Sequence, residues 1–223
     1  MPRPHRLWVA GGIYHITMRG NNRQPIFLDD ADYQQYLLEL HRARCEEPYH
    51  LLAYALMPNH VHLMIEAVPE GSPSAAIQRV AARYTRYFNA RHGRVGHLYQ
   101  GRFYSNFVNS EPYALEVTRY VHLNPVRADL VRCPIEYPWS SYGIYLGAAV
   151  NRLDLVAPGR ILRLFGPTRY QQINSYQRFV EEMVAKERVV GAWLRRLERQ
   201  KLIPPRRWLT PKSVRHFAPS RSV

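Results

Sequence analysis

The chain has 223 residues, of which 46% are hydrophobic and 22% are charged, so it contains enough apolar side chains for an ordinary core and is not intrinsically disordered. No apolar run reaches the roughly 18 residues that a membrane helix requires, which excludes a membrane-embedded chain. The 31 lysines and arginines outnumber the 17 acidic residues and give a formal net charge of +14, which favours a polyanionic partner.

The first part of the chain predicts a strand, a helix and two further strands. Residues 12–19 alternate with period two and end at a Gly-Asn-Asn turn, which is typical of a strand. The stretch that ends before Pro48 has apolar residues at three-to-four spacing and predicts a helix of about four turns. The β-prone runs 49–57 and 60–68, joined by a Pro-Asn pair, predict two adjacent strands.

The next part predicts a helix, a short strand and another helix. Residues 72–91 have an apolar stripe at helical spacing, and residues 102–108 favour a fourth strand. Ser110 is a suitable N-cap for a helix over residues 111–124, which Pro125 is expected to close or kink.

This order of elements predicts an α+β fold of the ferredoxin-like, or split βαβ, type: a four-stranded antiparallel sheet with helices on one face, plus one added helix. An aromatic, turn-rich segment over 136–143 is expected to be pinned onto this domain. Beyond it, the pattern predicts helices over 159–165 and 169–202. We therefore expect two units, a domain over 1–150 and a basic helical C-terminal extension over 151–223.

The positive charge is unevenly spread along the chain. Residues 1–150 carry 15 basic and 12 acidic side chains, whereas residues 151–223 carry 16 and 5. Within the first unit, the stretch 72–110 contains six arginines and no acidic residue. The arginine guanidinium can form bidentate hydrogen bonds with phosphates and can stack on bases, so this clustering favours nucleic acid as the partner.

Three arginines of the helix predicted over 72–91, Arg79, Arg83 and Arg86, share one of its faces. Such a face suits a surface that follows a phosphate backbone, and a solvated helix face is an equally good interpretation of the sequence. The basic run between Arg195 and Arg207 is expected to attract any nucleic-acid backbone rather than to read its sequence.

Two histidines, His60 and His62, stand two residues apart in a predicted strand, so both imidazoles are expected on the same face. Paired imidazoles can begin a divalent-metal site, although a His-x-His pair often occurs by chance. Tyr120 and Asn124 are four residues apart and share one face of the last predicted helix of the domain. A helix packed against the sheet could therefore bring a phenol and an amide oxygen to the two imidazoles.

Five blocks of the sequence together resemble the single-tyrosine HUH transposases and, among these, the REP-associated tyrosine transposases of bacteria. The blocks follow one another between about residues 5 and 147 in the order expected for that family. They are YHITMRGN from Tyr14, MPNHVH from Met57, YQGRF over 99–103, RYVHLNPVRADLV over 119–131 and YPWSSY over 137–142. The helical remainder resembles the C-terminal extension of longer members.

The resemblance implies a chemistry for the residues already singled out. His60 and His62 match the metal ligands, Asn124 matches a third, oxygen-bearing ligand, and Tyr120 matches the nucleophile. The metal is expected to be Mg²⁺ or Mn²⁺, and the reaction to be cleavage and rejoining of single-stranded DNA, with palindromic or hairpin repeats as substrate, through a covalent 5'-phosphotyrosine. No nucleotide cofactor is expected, and Arg102, which lies inside a matching block, is expected to contact DNA.

Two other functions stay open from the sequence: a domesticated, catalytically inactive DNA-binding protein, and a metal-dependent single-strand nuclease in which water attacks. A monomer and a dimer are equally compatible with the residues. The N-terminus lacks the apolar core of a signal peptide, and Cys45 and Cys133 are too few for a disulfide framework, so we expect a cytoplasmic protein.

Three further polar residues are interpreted as structural. His122 points away from the face of Tyr120 and is expected to pack or to cap. Glu66 shares the face of His62 but lies four residues further along the strand, which favours a strand-end carboxylate over a metal ligand. His15 is expected to be a buried histidine, with a DNA contact as the alternative.

Overall fold

The computed structural model describes the backbone of residues 8–199 and the side chains of residues 8–184 and Lys186. The basic run between Arg195 and Arg207 lies outside the described side chains. Within residues 8–199, no helix combines the length and the apolar character needed to cross a membrane.

Four strands form one antiparallel sheet, and each lies where the sequence predicts it. They are β1 (Ile13–Arg19), β2 (Tyr49–Met57), β3 (His60–Ala67) and β4 (Tyr104–Val108). Their spatial order is β2-β3-β1-β4, so β2 and β4 form the two edges. This is the strand order of a ferredoxin-like sheet, and it confirms the predicted fold class.

Helices α1 (Asp30–Glu46) and α2 (Pro73–Arg91) lie together on one face of the sheet. Each begins at a side-chain cap: Asp29 accepts hydrogen bonds from backbone N–H groups of α1, and Ser72 does so for α2. The hydroxyl of Tyr49 in β2 donates to a backbone carbonyl of α1 at 2.8 Å, which fixes that helix to the sheet. These are the two helices of the ferredoxin-like pattern, on one face as predicted.

The added helix, α3 (Glu111–Arg127), packs on the opposite face of the sheet. Its N-cap is Ser110, as predicted, and the Thr118 hydroxyl contacts the sulfur of Met64 in β3 at 3.1 Å. Two alanines of β2 pair in register with Met64 and His62 of β3, and these small side chains leave room for a helix above them. The sheet is therefore covered on both faces, and α3 packs on the one with the two histidines of β3.

Helix α3 does not end before Pro125, where the sequence suggested a stop. Proline lacks a backbone N–H and costs one helical hydrogen bond, but the chain after it can keep helical geometry. The backbone N–H of Ala128 reaches the carbonyl of Asn124 at 2.9 Å and continues the ladder past the proline. The helix consequently includes Arg127.

The chain after α3 covers the outer edge of β2. Backbone hydrogen bonds run from Leu56 N to Trp139 O at 2.9 Å and from Ser141 N to Tyr54 O at 3.0 Å. The Tyr145 hydroxyl adds a bond to a backbone carbonyl of β2 at 2.7 Å. The aromatic segment is thus pinned onto the domain, as predicted, and it occupies an edge that would otherwise expose unpaired backbone groups.

In the described part of the chain, three α-helices follow: α4 (Tyr142–Tyr145), α5 (Gly159–Leu162) and α6 (Arg169–Arg199). Tyr176 and Val180 of α6 are fully buried and belong to the same hydrophobic core as the sheet. The described part of the C-terminal segment therefore packs onto the N-terminal unit, with α6 lying against α3.

Candidate active site

The two histidines of β3 project from the same face of the sheet, together with residues of β1. In the register of the two strands, His60 pairs with Arg19 and His62 pairs with Thr17. The His60 and His62 ring centroids are 4.9 Å apart, and the rings are nearly perpendicular. We call the side of the sheet that carries His15, Thr17, His60 and His62 the histidine face.

Tyr120 of α3 lies over the histidine face. Its ring centroid is 5.5 Å from that of His62 and 5.8 Å from that of His15, both in edge-to-face geometry. The Tyr120 side chain is half-buried, so its ring is held by the histidines while the residue stays open to solvent. The structure therefore brings the phenol and the imidazoles together, an arrangement that the residue spacing made possible.

Asn124 stands one turn after Tyr120 on the same side of α3. Its Nδ2 donates to the carbonyl of Tyr120 at 2.9 Å, which leaves the Oδ1 atom as the acceptor of the amide. Thr118 contacts Met64 and Tyr120 contacts His62, so α3 runs antiparallel to β3. Asn124 consequently lies further toward the His60 end of the strand.

Each of the two histidines is held through its Nδ1 atom. The His60 Nδ1–H donates to Asn59 Oδ1 at 2.6 Å, and the His62 Nδ1 shares a hydrogen bond of 3.0 Å with His15 Nε2. Metal-binding histidines are usually oriented by such a bond on the nitrogen that does not bind the metal. The Nε2 atoms of both rings are therefore the ones left for a ligand.

The protein lowers the pKa of each of these imidazoles. Removal from water lowers the pKa of His15 to about 4, and the same effect, aided by the charge of Arg19, lowers the pKa of His60 to about 4. Burial drives the pKa of His62 well below its ordinary value, and the neighbouring His60 and His15 lower it further. All three rings are neutral at pH 7, as a histidine must be to bind a metal ion.

These residues fit a divalent ion that completes its shell with oxygen atoms. Among the side chains that the structure describes, no group of three or more from His, Cys, Asp and Glu could hold a metal ion by itself. Two imidazoles and the Asn124 amide oxygen would leave positions for water and for a phosphate oxygen of a substrate. A catalytic metal site needs such open coordination positions, because water or the substrate must bind the ion there.

Arg127 is a residue of this site that the sequence analysis missed. Its guanidinium carbon lies 4.6 Å from the centroid of the Tyr120 ring. The spacing of seven residues between Tyr120 and Arg127 would place both on one side of a helix. Because the helix was expected to stop at Pro125, Arg127 was not predicted to belong to it. His15 was likewise assigned no role beside His62, since the contact between them depends on strand register.

The arginines expected to contact DNA lie in two different places. Arg79 forms ion pairs with Glu46 and Glu47 at 3.3 Å, and Arg83 pairs with Glu46 at 2.7 Å. Arg86, on the same helix α2, is exposed. All three belong to the side of the sheet opposite the histidine face, so the structure does not bring them to Tyr120.

Arg102, in contrast, is exposed just before β4 and borders the histidine face. The loop that carries it is tied to the end of β1 by the Gln100 backbone N–H, which donates to the Arg19 carbonyl at 3.1 Å. This is also the end of the sheet that holds His60, because His60 and Arg19 are paired in register.

Glu66 and His122 have structural partners, as the sequence analysis expected. The Glu66 carboxylate accepts from Arg160 Nε at 3.2 Å and so binds the segment after residue 150 to the sheet. His122 is fully buried between Tyr176 and Ser141, with hydrogen bonds of 2.5 and 2.8 Å. Cys45 and Cys133 are free and exposed.

Comparison with known proteins identifies the family. The model of the family described as "Transposase IS200 like" matches residues 9–124, which are 116 of the 223 residues. A Haemophilus influenzae protein named as a REP-associated tyrosine transposase is 25% identical over 154 residues, which cover 64% of this chain and 86% of that protein. A solved structure of a REP-associated tyrosine transposase bound to a REP hairpin has the same fold, with a TM-score of 0.55 and 19% identity, over 70% of this chain and 92% of that chain.

The matched range includes both histidines of β3, and it also includes the tyrosine and the asparagine that α3 places above them. The chain therefore belongs to the IS200-like transposase family.

Proposed function

We propose that this protein is a metal-dependent transposase that cleaves and rejoins single-stranded DNA, with Tyr120 as the nucleophile. One observation carries the proposal: the Tyr120 ring lies against His62, beside His60, on the histidine face. A nucleophile and a pair of neutral imidazoles that could hold a metal ion are thus adjacent within one chain, and the proposed site needs no residue from a second copy.

His60 Nε2, His62 Nε2 and Asn124 Oδ1 would hold Mg²⁺ or Mn²⁺. The bound ion would polarise a non-bridging oxygen of the scissile phosphate and offset the charge that builds up in the transition state. His15 keeps the His62 ring in the orientation that leaves Nε2 free, since the Nδ1–H then donates to His15 Nε2.

The Tyr120 oxygen attacks the scissile phosphorus and forms the phosphotyrosine bond, while the bond from phosphorus to the 3'-oxygen breaks. The phenol loses its proton, and the departing 3'-oxygen gains one and becomes a free hydroxyl. The positive charge of Arg127 beside the ring stabilises the phenolate that attacks. Because the phosphotyrosine conserves the energy of the broken bond, a 3'-hydroxyl can reverse the step without a nucleotide cofactor.

Hairpin DNA is the proposed substrate. The solved relative with the same fold is described as bound to a REP hairpin, and this chain carries a net charge of +14 that suits a polyanion. Arg102, exposed at the border of the histidine face, is well placed to hold a strand that enters the site. The arginines of α2 would contact DNA only if the DNA also extended to the far side of the sheet. These arginines are Arg79, Arg83 and Arg86.

An assay for a covalent adduct tests the proposal. The protein is incubated with Mg²⁺ or Mn²⁺ and with labelled single-stranded oligonucleotides that contain palindromes flanking its own gene, and the products are separated under denaturing conditions. We expect a protein–DNA adduct that Tyr120→Phe abolishes. Tyr170→Phe, at an exposed tyrosine of α6, is the matched control and should leave the adduct unchanged.

The two other functions give different products. Cleavage that survives Tyr120→Phe would contradict the nucleophile and support a nuclease in which water attacks. Tight binding without cleavage, in either metal and with intact protein, would support a DNA-binding protein that has lost its activity.

A further inference from the structure

The histidine face is exposed to solvent at its β4 edge. In the sheet register, Thr17 of β1 stands between His62 of β3 and Tyr104 of β4. The three residues therefore form one row across the sheet, on the same side as the proposed reaction centre. Tyr104 ends this row with 62% of its surface exposed.

Tyr104 is close enough to the metal ligands to touch a bound strand. Neighbouring strands lie about 4.8 Å apart, so the Tyr104 backbone is about 10 Å from that of His62. A nucleotide next to the scissile phosphate can lay its base over a ring at that distance. Asn106, which pairs with His15 in the register, follows on the same face and places an amide beside the ring.

The surroundings of Tyr104 favour a polyanion over another protein surface. Residues 92–110, which lead into and through β4, contain no acidic side chain. Arg102 is exposed two residues before Tyr104, and Arg19 is exposed at the end of β1 where the Arg102 loop is attached. A positively charged groove with an aromatic side chain is the usual arrangement of a site for single-stranded nucleic acid.

The other exposed aromatic residue of β4 is in a different position. Phe107 points to the opposite face, where its ring packs 5.3 Å from that of Tyr14. Its exposure of 52% is therefore that of a ring at the rim of the core. Tyr104 is exposed on the histidine face, so burial against the core does not account for it.

We propose that Tyr104 is a stacking platform for a base of the single-stranded DNA next to the cleaved phosphate, and that Asn106 binds the edge of the same base. Arg19 and Arg102 bind the adjoining phosphates. The inference rests on the proposed function, because it takes the histidine face as the place where the strand is cleaved. It adds a base contact, and thereby a means of choosing the nucleotide at the cleavage site.

Binding measured without chemistry tests the platform. In a Tyr120→Phe background, the affinity for a fluorescein-labelled oligothymidylate is followed by anisotropy. Tyr104→Ala should weaken binding by about 5- to 100-fold, the effect of losing one base–aromatic stack, while Tyr104→Phe should stay within about twofold. Tyr170→Ala, at the exposed tyrosine of α6, is the matched control and should leave the affinity unchanged.

The position of the stacked base is read from a fluorescent base analogue. Oligonucleotides with 2-aminopurine at successive positions should show quenching by Tyr104 only beside the cleavage site, and Tyr104→Ala should remove that quenching. Full affinity of Tyr104→Ala would overturn the platform. A change in the sedimentation coefficient without a change in DNA affinity would instead identify β4 as a contact between copies of the chain. That result would also overturn the platform.

Failure of the platform and failure of the proposed function are distinguishable. The binding measurements use protein without the Tyr120 hydroxyl, so they do not depend on cleavage. If the adduct assay succeeds while Tyr104→Ala binds normally, only the platform is wrong.

Discussion

His15 Nε2 and His62 Nδ1 are 3.0 Å apart, so two imidazoles that both contact Tyr120 are joined by a hydrogen bond. His15 comes from β1 and His62 from β3, and the pairing of these two central strands brings them into contact. This hydrogen bond acts on the nitrogen that would not bind a metal ion. His15 is therefore a positioning residue for the proposed site.

We predict that His15→Ala weakens Mn²⁺ binding and slows cleavage by about 10- to 100-fold, the usual effect of removing such a support. His15→Gln, which keeps a polar atom near His62, should recover part of the loss. Manganese titration followed by electron paramagnetic resonance provides a readout that does not depend on activity. His97→Ala, at an exposed histidine, is the control, and equal Mn²⁺ affinity in His15→Ala would contradict the role.

Removal of the metal should separate cleavage from binding. His60→Ala, His62→Ala or chelation by EDTA should each reduce cleavage by at least about 100-fold, because the transition-state charge is no longer offset. The affinity for single-stranded DNA should change little, because it derives mainly from the arginines. Both quantities can be measured on the same labelled oligonucleotide, and loss of binding in all three cases would show that the histidines bind DNA directly.

Arg127 should affect the chemical step more than substrate binding. Its guanidinium lies 4.6 Å from the Tyr120 ring, and we expect Arg127→Ala to lower the single-turnover rate of adduct formation by about 10- to 100-fold. Arg127→Lys keeps the charge and should retain part of the rate. Arg132→Ala, at an exposed arginine beyond α3, is the control. An unchanged single-turnover rate in Arg127→Ala would argue that the arginine only packs on the ring.

The arginines of the two surfaces should differ in their contribution to affinity. Arg102→Ala should weaken DNA binding, because one phosphate contact is lost. The slope of log affinity against log salt concentration should also become smaller, since about one counterion fewer is released on binding. Arg79→Ala should have a smaller effect, since Arg79 is already paired with Glu46 and Glu47 and lies on the far side of the sheet. Affinities measured over a range of salt concentrations compare the two. A larger effect at Arg79 would place DNA on the α1–α2 side.

The contact between α3 and α6 should contribute to stability. His122 is hydrogen-bonded through Nε2 to the Ser141 hydroxyl at 2.8 Å and through Nδ1 to the Tyr176 hydroxyl. Tyr176→Phe would leave the His122 Nδ1 atom buried without a partner, at a cost of about 1–3 kcal/mol in the free energy of unfolding. Urea denaturation measures the loss. Tyr170→Phe should cost nothing, because Tyr170 is exposed; equal stabilities would mean that water replaces the hydroxyl.

Short-range patterns predicted most of the framework. Period two placed His60 and His62 on one face, and a spacing of four placed Tyr120 and Asn124 on one side of a helix. The order of the strands and helices then determined the ferredoxin-like sheet. These inferences needed only neighbouring residues, which is why they could be made from the sequence.

The remaining features depend on contacts between distant parts of the chain. The hydrogen bond of His15 with His62 requires the register of β1 against β3, which no local pattern contains. The pairing of Arg83 with Glu46 requires α1 and α2 to pack together, so the sequence could not distinguish a DNA-binding face from an internal contact. Arg127 was not predicted to lie in α3, because proline usually ends a helix, whereas α3 continues through Pro125.

Helix α3 is held between the sheet on one side and α6 on the other. Its outer side is fixed by His122 on Tyr176 and by Arg119, whose guanidinium stacks 4.2 Å from the ring of Phe179. To pass its tyrosine to the histidines of a neighbouring molecule, the chain would have to break these contacts and expose the buried Tyr176. For the proposed mechanism, these contacts favour a Tyr120 that acts at the histidines of its own chain, so that strand exchange between two DNA ends would move the DNA rather than the tyrosine.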